Sequence, residues 1–241
     1  MHLKSCVLTI VTLGIAITAH ASESVLSGKA FPTAGGSAPL FNVELALKEE
    51  RQKRVCSQLL TDRAGKVIAS TKAIYESGRL SSISFEQRQS RETALIEIKD
   101  GKVFYSHTKD GKTNRSTKKD SGDLVPFSAV PYFIVSKWDE IKSGKTTEFK
   151  VPIPERLQAI AIRVSKERTW TQMGRRYTEF KMEPSNAIFR ALVEPDYYVF
   201  DDQSKTLIEH RGRTDAKTGA PGNLDDFTGR IVYRPLVSSG K

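Results

Sequence analysis

TALIEIKDGKVFYSHTKDGK, residues 93–112, is the stretch whose reading decides the fold. Two runs rich in β-branched and aromatic residues, TALIEIK and KVFYSHTK, flank Asp100-Gly101, and a second pair, Asp110-Gly111, follows at once. Asp-Gly tolerates positive φ at both central positions of a type I′ turn, whose twist matches that of the strands it joins. The stretch therefore predicts chained antiparallel hairpins. Upstream, LFNVELALKEE places Phe41, Val43, Leu45 and Leu47 on one side, and KRVCSQLLTD meets VIASTKAIYES across Arg63-Ala64-Gly65-Lys66. LSSISFEQRQ alternates Leu80, Ser82, Ser84 and Glu86 against Ile83, Phe85 and Gln87. Downstream, TEFKVPIP puts Phe149, Val151 and Ile153 on one face, and LQAIAIRVSKE does the same for Ile160, Ile162 and Val164. WTQMGRRYTEFKME, AIFRALV, DYYVFDD, TLIEHRGR and GRIVYRP complete the set of expected strands. With at least ten short-turned strands and no alternation with helices, a doubly wound parallel sheet is excluded. The expected fold is mainly β: one large curved antiparallel sheet, a half-barrel or open barrel, in a single domain over residues 40–237.

One segment breaks the pattern. DLVPFSAVPYFIVSKWDEIKSG, residues 123–144, is apolar and aromatic and carries two prolines. Leu124, Phe127, Pro131, Ile134, Trp138 and Ile141 follow three- and four-residue spacing, which predicts a helix over 124–142. Asp123 is expected to cap its first turn, the main helix to begin near Pro131, and Gly144 to end it. A curved sheet has a concave face that must be covered, and this helix has the length to lie across it. Its aromatic residues make it either a permanent core plug or a lid over an apolar cavity. In the second case the cavity lining would be Phe127, Val130, Phe133, Ile134 and Trp138 from the helix, with Ile160, Ile162 and Trp170 from the facing strands.

The ends and the charge point to a compartment. Residues 1–21 contain basic Lys4, an apolar run from Cys6 to Thr18 and the small-x-small sequence Ala19-His20-Ala21, which together predict a cleaved secretory signal peptide. Residues 22–39, rich in Ser, Ala, Gly and Pro, are expected to be a flexible lead. The formal net charge is +10, and removal of the signal takes away only Lys4, leaving +9. Cys56 is then the single cysteine, so no internal disulfide forms and the fold must rest on its apolar core. These features fit a bacterial periplasmic protein. In that compartment the basic clusters at 49–54 and 109–119 would meet an anionic membrane surface or an acidic envelope polymer, not nucleic acid, unless they are merely solvated turns and strand faces.

A search for catalytic chemistry yields nothing that meets geometric requirements. SGKTTEF lacks the upstream glycine of a phosphate loop and runs into a strand. His107 and His210 have no neighbouring ligand set, so no metal or cofactor is expected. Cys56, inside a strand, reads as a buried inert thiol. Asp201-Asp202 and Asp225-Asp226 lie at strand ends, where Asp is an ordinary turn residue. The chain is not expected to be an enzyme.

The strand meander, the aromatic helix introduced by a polar-Leu-x-Pro turn, and ALVEPDYYVFDDQSKTLIEHRGRTD at 191–215 together resemble an uncharacterised bacterial periplasmic family. Its half-barrel is similar to that of the lipoprotein-localisation carriers of the LolA and LolB type. The resemblance implies a sheet wrapped around a helix and a hydrophobic cavity for acyl chains. It carries over no site residue, and without a cysteine at the expected mature start a LolB-like anchored form is disfavoured. The expected function is a periplasmic carrier for a lipid or acylated ligand. The alternative is a structural or assembly module that binds an envelope protein through basic loops and sheet edges.

Overall fold

Fourteen strands form one antiparallel sheet that does not close. The computed structural model describes residues 22–33, 36–220 and 222–236, so the signal peptide expected at 1–21 lies outside the described residues. The first meander runs β1 (Ser22–Pro32), β2 (Phe41–Glu50), β3 (Lys53–Thr61), β4 (Val67–Glu76), β5 (Arg79–Gln87), β6 (Glu92–Lys99), β7 (Lys102–Lys109) and β8 (Lys112–Lys119). The second runs β9 (Thr147–Ile153), β10 (Gln158–Gln172), β11 (Arg175–Pro184), β12 (Asp196–Asp201), β13 (Thr206–Ala220) and β14 (Asn223–Pro235). Within each meander every strand pairs with its sequence neighbours, and the β1–β14 pairing joins the two. Asp100 and Asp110 have φ of 52° and 48°, followed by Gly101 and Gly111 at 69° and 79°, the left-handed pairs that the Asp-Gly reading requires.

β1 overturns the expectation of a flexible lead. Residues 22–32 lie between β2 and β14 in the body of the sheet. The small residues that suggested mobility are there for packing. A Cβ built on Gly28 would lie 2.9 Å from both Ile231 and the Tyr233 ring, so glycine lets β14 side chains cross close over β1. Ala30, in the same row, is fully buried.

The inner face carries the core, including Val43, Leu45, Leu60, Phe180, Phe200 and Ile231. The sheet also covers part of this face with its own opposite wall. β13 breaks register between Arg213 and Lys217, and the bulge reaches across to β4 and the end of β5. Thr71 donates to the Asp215 carboxylate at 3.2 Å, and the Gln87 amide donates to the Asp215 carbonyl. The Gln89 amide both donates to and accepts from the Lys217 backbone, at 2.9 Å each way. A 3-10 turn at Pro154–Arg156 likewise packs against β6 and β7. The curl is therefore tight enough for strands several places apart to touch.

The two open edges are protected differently. β8 is almost wholly exposed and bears Lys112, Arg115, Lys118 and Lys119, a charged edge that discourages strand addition. The basic cluster at 109–119 is thus mostly this edge. β9 is covered by the chain itself: Val125 donates to the Lys150 carbonyl at 2.8 Å, and Lys150 donates to the Asp123 carbonyl at 2.9 Å.

The aromatic segment is a 3-10 turn at Phe127–Ala129, then α1 (Val130–Ser136) and α2 (Trp138–Lys142), not one helix over 124–142. Leu124 instead bridges to Lys150. Asp123 does not cap the helix; its side chain takes a hydrogen bond from Ser121 and pairs with Lys150. The break falls at Lys137, where the Ser136 hydroxyl donates to the Phe133 carbonyl at 2.7 Å and competes for a helical acceptor. AIFRALV is a helix, not a strand: α3 (Ala187–Leu192), between β11 and β12, begins at Asn186, whose side chain accepts from Ile188 and Phe189.

Two outcomes follow. Gly28→Val should overpack the β1–β14 crossing and cost about 1–3 kcal/mol in urea unfolding. Asp215 is raised above the ordinary carboxylate value, chiefly by desolvation. A raised folded pKa means that the native state holds this proton more tightly than the unfolded chain, so its contribution is present below the ordinary value and lost as pH rises through the folded one. The stability of Asp215→Asn relative to the parent should therefore increase over that window, read as the difference between the two urea midpoints at each pH.

Candidate functional site

The element that positions a site is α1, because it has two working faces. Val130 and Ile134, four residues apart, are fully buried, and the buried line continues through Trp138 and Ile141 of α2. Trp138 meets Phe180 edge-on at 5.2 Å and Phe200 at 5.6 Å between ring centroids. The Lys142 and Lys205 ammonium groups lie 5.5 and 5.7 Å from its ring, within cation–π range. Lys142 pairs at 2.7 Å with Asp202, which also accepts from Thr178 at 2.6 Å and pairs with Arg176. This side of the helical segment is anchored core.

The adjacent face of α1 presents Pro131, Tyr132 and Val135 to a groove of about 520 Å³. Its other walls come from distant parts of the chain: Val25 and Leu26 of β1, Leu47 of β2, Phe200 of β12, Leu207 of β13, and Pro235 with Leu236 at the end of β14. The lining is mostly apolar, with Glu23 and Lys205 among its charged members. The Tyr132 hydroxyl is buried and has no hydrogen-bond partner among the described residues. Burial raises it above the ordinary tyrosine value, so it remains a neutral donor. A groove of this size and composition suits a ligand that is largely hydrocarbon. The turns at the same end carry Arg51, Lys53, Lys102, Arg175 and Lys205, interspersed with Glu49, Glu50, Asp100 and Asp201, the last of which pairs with Arg175 at 3.0 Å.

The structure brings together some of the residues expected at a cavity, but none of them lines this groove. Val130, Ile134, Trp138 and Ile162 are buried in the core. Phe133 packs on Phe149 at 4.6 Å, and Ile160 lies partly buried against the core. Phe127 is 39% exposed at the start of the segment. Trp170 is on the opposite face of the sheet. The register of β10 against β11 shifts between Lys166 and Arg168, and this extra residue flips the alternation. Trp170 therefore packs beside Tyr177 with Arg168 over its ring. Tyr132 and Val135 were missed because an i, i+3, i+4 reading selects one helical face, and theirs is the next one round; Pro131 belongs to the expected stripe but was read only as the start of the main helix.

At the other end of the sheet a polar cleft of about 620 Å³ is lined by Glu92, His107, Lys109, Glu155, Arg213 and Lys217, among others. Glu92 accepts from His107 at 3.2 Å and pairs with Lys109 at 2.8 Å. Burial alone would raise the Glu92 carboxyl, but these hydrogen bonds outweigh it and hold it below its ordinary value. Arg213 and Lys217 both pair with Asp226. The cleft's charges are thus largely satisfied internally. His210 stacks on Tyr198 at 4.5 Å. Among the described residues no group of three or more His, Cys, Asp or Glu side chains could hold a metal ion. Cys56 is buried, and burial pushes its thiol up to about 12, far from the thiolate that nucleophilic chemistry needs. Asp201 anchors the β12–β13 turn, accepting from the backbone and hydroxyl of Ser204 at 2.9 Å.

The fold and groove define a mainly β protein with one open antiparallel sheet and an apolar recess at one end. No protein family, no curated protein and no solved structure was found to match the chain.

The two faces of the helical segment should respond differently to substitution. Trp138→Ala should cost about 3–5 kcal/mol in urea unfolding, whereas Leu236→Asp, at a half-exposed groove position, should change stability by no more than about 0.5 kcal/mol.

Proposed function

We propose that the protein is a non-enzymatic carrier of an amphiphile in the bacterial periplasm. The hydrocarbon part of the ligand lies in the groove beside α1, and its anionic head meets the basic turns around the mouth. The observation that carries this reading is the apolar groove itself, opening at an end rich in Lys and Arg. Apolar burial supplies the binding energy, at roughly 0.8 kcal/mol per methylene group, and the cations favour anionic headgroups at the surface. In this reading the curled sheet is a half-barrel around the helical segment, and the likeness to the lipoprotein-localisation carriers extends to what the half-barrel holds. α1 acts as a fixed wall and not as a swinging lid, because Val130 and Ile134 anchor it in the core.

The alternative, an assembly module that recruits partners through sheet edges and basic loops, has less support. β8 is polar and charged along its length, and β9 is already paired with residues 123–125. Neither edge offers the unpaired apolar strand that β-augmentation uses.

Native mass spectrometry of protein purified without detergent should show co-purified acyl species. Val135→Arg, which places a charge in the groove wall, should lose at least about nine-tenths of that ligand with an unchanged circular dichroism spectrum. Parent protein that is free of acyl species and takes up no fluorescent fatty acid from anionic vesicles would refute the carrier reading.

A further inference from the structure

Among the described residues, α3 and the residue after it carry a run of exposed apolar side chains that no other element matches. Ile188 is 72% exposed, Phe189 51%, Leu192 76% and the following Val193 51%. Single exposed apolar residues are normal, but four in six positions form a contiguous patch that marks a contact site. The patch is convex: a short helix projecting between β11 and β12, capped by Asn186 and flanked by Pro184 and Pro195. It has the shape of a knob.

The groove lies at the other end of the same sheet. α3 precedes the start of β12, while Phe200 at the end of β12 forms part of the groove wall, a separation of roughly 17–20 Å for a six-residue strand. The two surfaces also match in charge. The knob carries Arg190 and Glu194, and the groove carries Glu23 and Lys205. Among the described residues Glu194 and Lys205 form no ion pair; the nearby acids are engaged elsewhere, Asp202 by Lys142 and Arg176, and Asp196 as acceptor from the Arg213 backbone at 3.0 Å.

We infer that α3 of one molecule inserts into the groove of a second copy, with Ile188, Phe189 and Leu192 against the α1 wall and Glu194 facing Lys205. A lipid surface is the weaker candidate for α3. The knob has one charge of each sign, whereas the cationic turns that would favour an anionic bilayer are at the opposite end. The contact is heterologous, since knob and groove are different surfaces, and with the two at opposite ends of the sheet it adds molecules head to tail into a ring or an open filament. A bound hydrocarbon and α3 of a second copy would compete for the same groove, so the inference describes acyl-free protein and does not rest on the carrier reading.

The test is sedimentation velocity of the purified protein over a concentration series. The average mass should rise past that of a dimer. Leu192→Asp removes the knob and Leu236→Asp spoils the groove mouth; each alone should be monomeric. An equimolar mixture of the two should form a dimer and stop there, because each variant keeps one intact surface. Glu194→Lys and Lys205→Glu should each weaken assembly about tenfold, and the doubly exchanged protein should recover it. Parent protein freed of acyl species that stays monomeric at every concentration would overturn the inference. So would a Leu236→Asp variant that still self-associates, since that would place α3 against α3. Acyl-free protein that still assembles in this pattern supports the inference and refutes only the carrier reading.

Discussion

Disposal of the inner face of the sheet is the constraint on which the rest of this structure depends. An antiparallel meander has one apolar face that must be kept from water and two edges that must be kept from pairing with other chains. Here the face is too broad for one short helical segment to cover. The β13 bulge supplies the remainder by carrying Asp215 and Lys217 across to Thr71, Gln87 and Gln89. Most of those contacts are made by backbone groups or side-chain amides, which can be satisfied without an ionised partner. The apolar cover is concentrated at the other end, where Trp138 closes against Phe180 and Phe200. The groove is what remains between that plug and the strands β1 and β14, which meet in the middle of the sheet.

This division of labour explains why the helical segment is split. A straight helix over the whole stretch would present one apolar stripe. The break at Lys137 allows α1 and α2 to contribute to one buried line while α1 turns a second face to the groove. Structural and binding roles thus fall on adjacent residues: Ile134 is core and Val135 is wall.

The hairpins were legible in the sequence because their determinants are local. Asp100-Gly101 and Asp110-Gly111 set the turn backbone, and the alternation of Phe41, Val43 and Leu45 sets the face. Four features were not legible, each for a distinct reason. β1 carries Gly28 where Ile231 and Tyr233 of β14 cross it closely, and with its serines and alanine this gave it the composition of a linker. α3 is short and apolar, and a run of that kind has no distinguishable period; Asn186 was its one signal, a cap two residues after a proline. Trp170 follows the expected alternation of β10 until the bulge at Lys166–Arg168, which adds a residue without a turn signal. The groove was the least accessible, since its walls come from both ends of the sheet's chain order and meet only after folding. No local pattern links Val25 to Leu207 or Leu236.

The sheet order has a consequence for how the chain reaches its folded form. Of the thirteen strand pairings, twelve join neighbours in sequence, and β1 with β14 is the exception. Two meanders can therefore zip up independently with short loop closures, while their union spans nearly the whole chain and carries the largest entropic barrier. As the polypeptide emerges from a ribosome or a translocon, β1 waits with one flank unsatisfied until the final strand arrives. A chain stopped before residue 223 would leave a gap in the middle of the sheet, exposing strand edges that are interior in the finished molecule. Conversely, the proximity of Leu26 to Pro235 marks this chain as a candidate for circular permutation: a linker between its present ends, with new ends opened between β8 and β9, would make every pairing local.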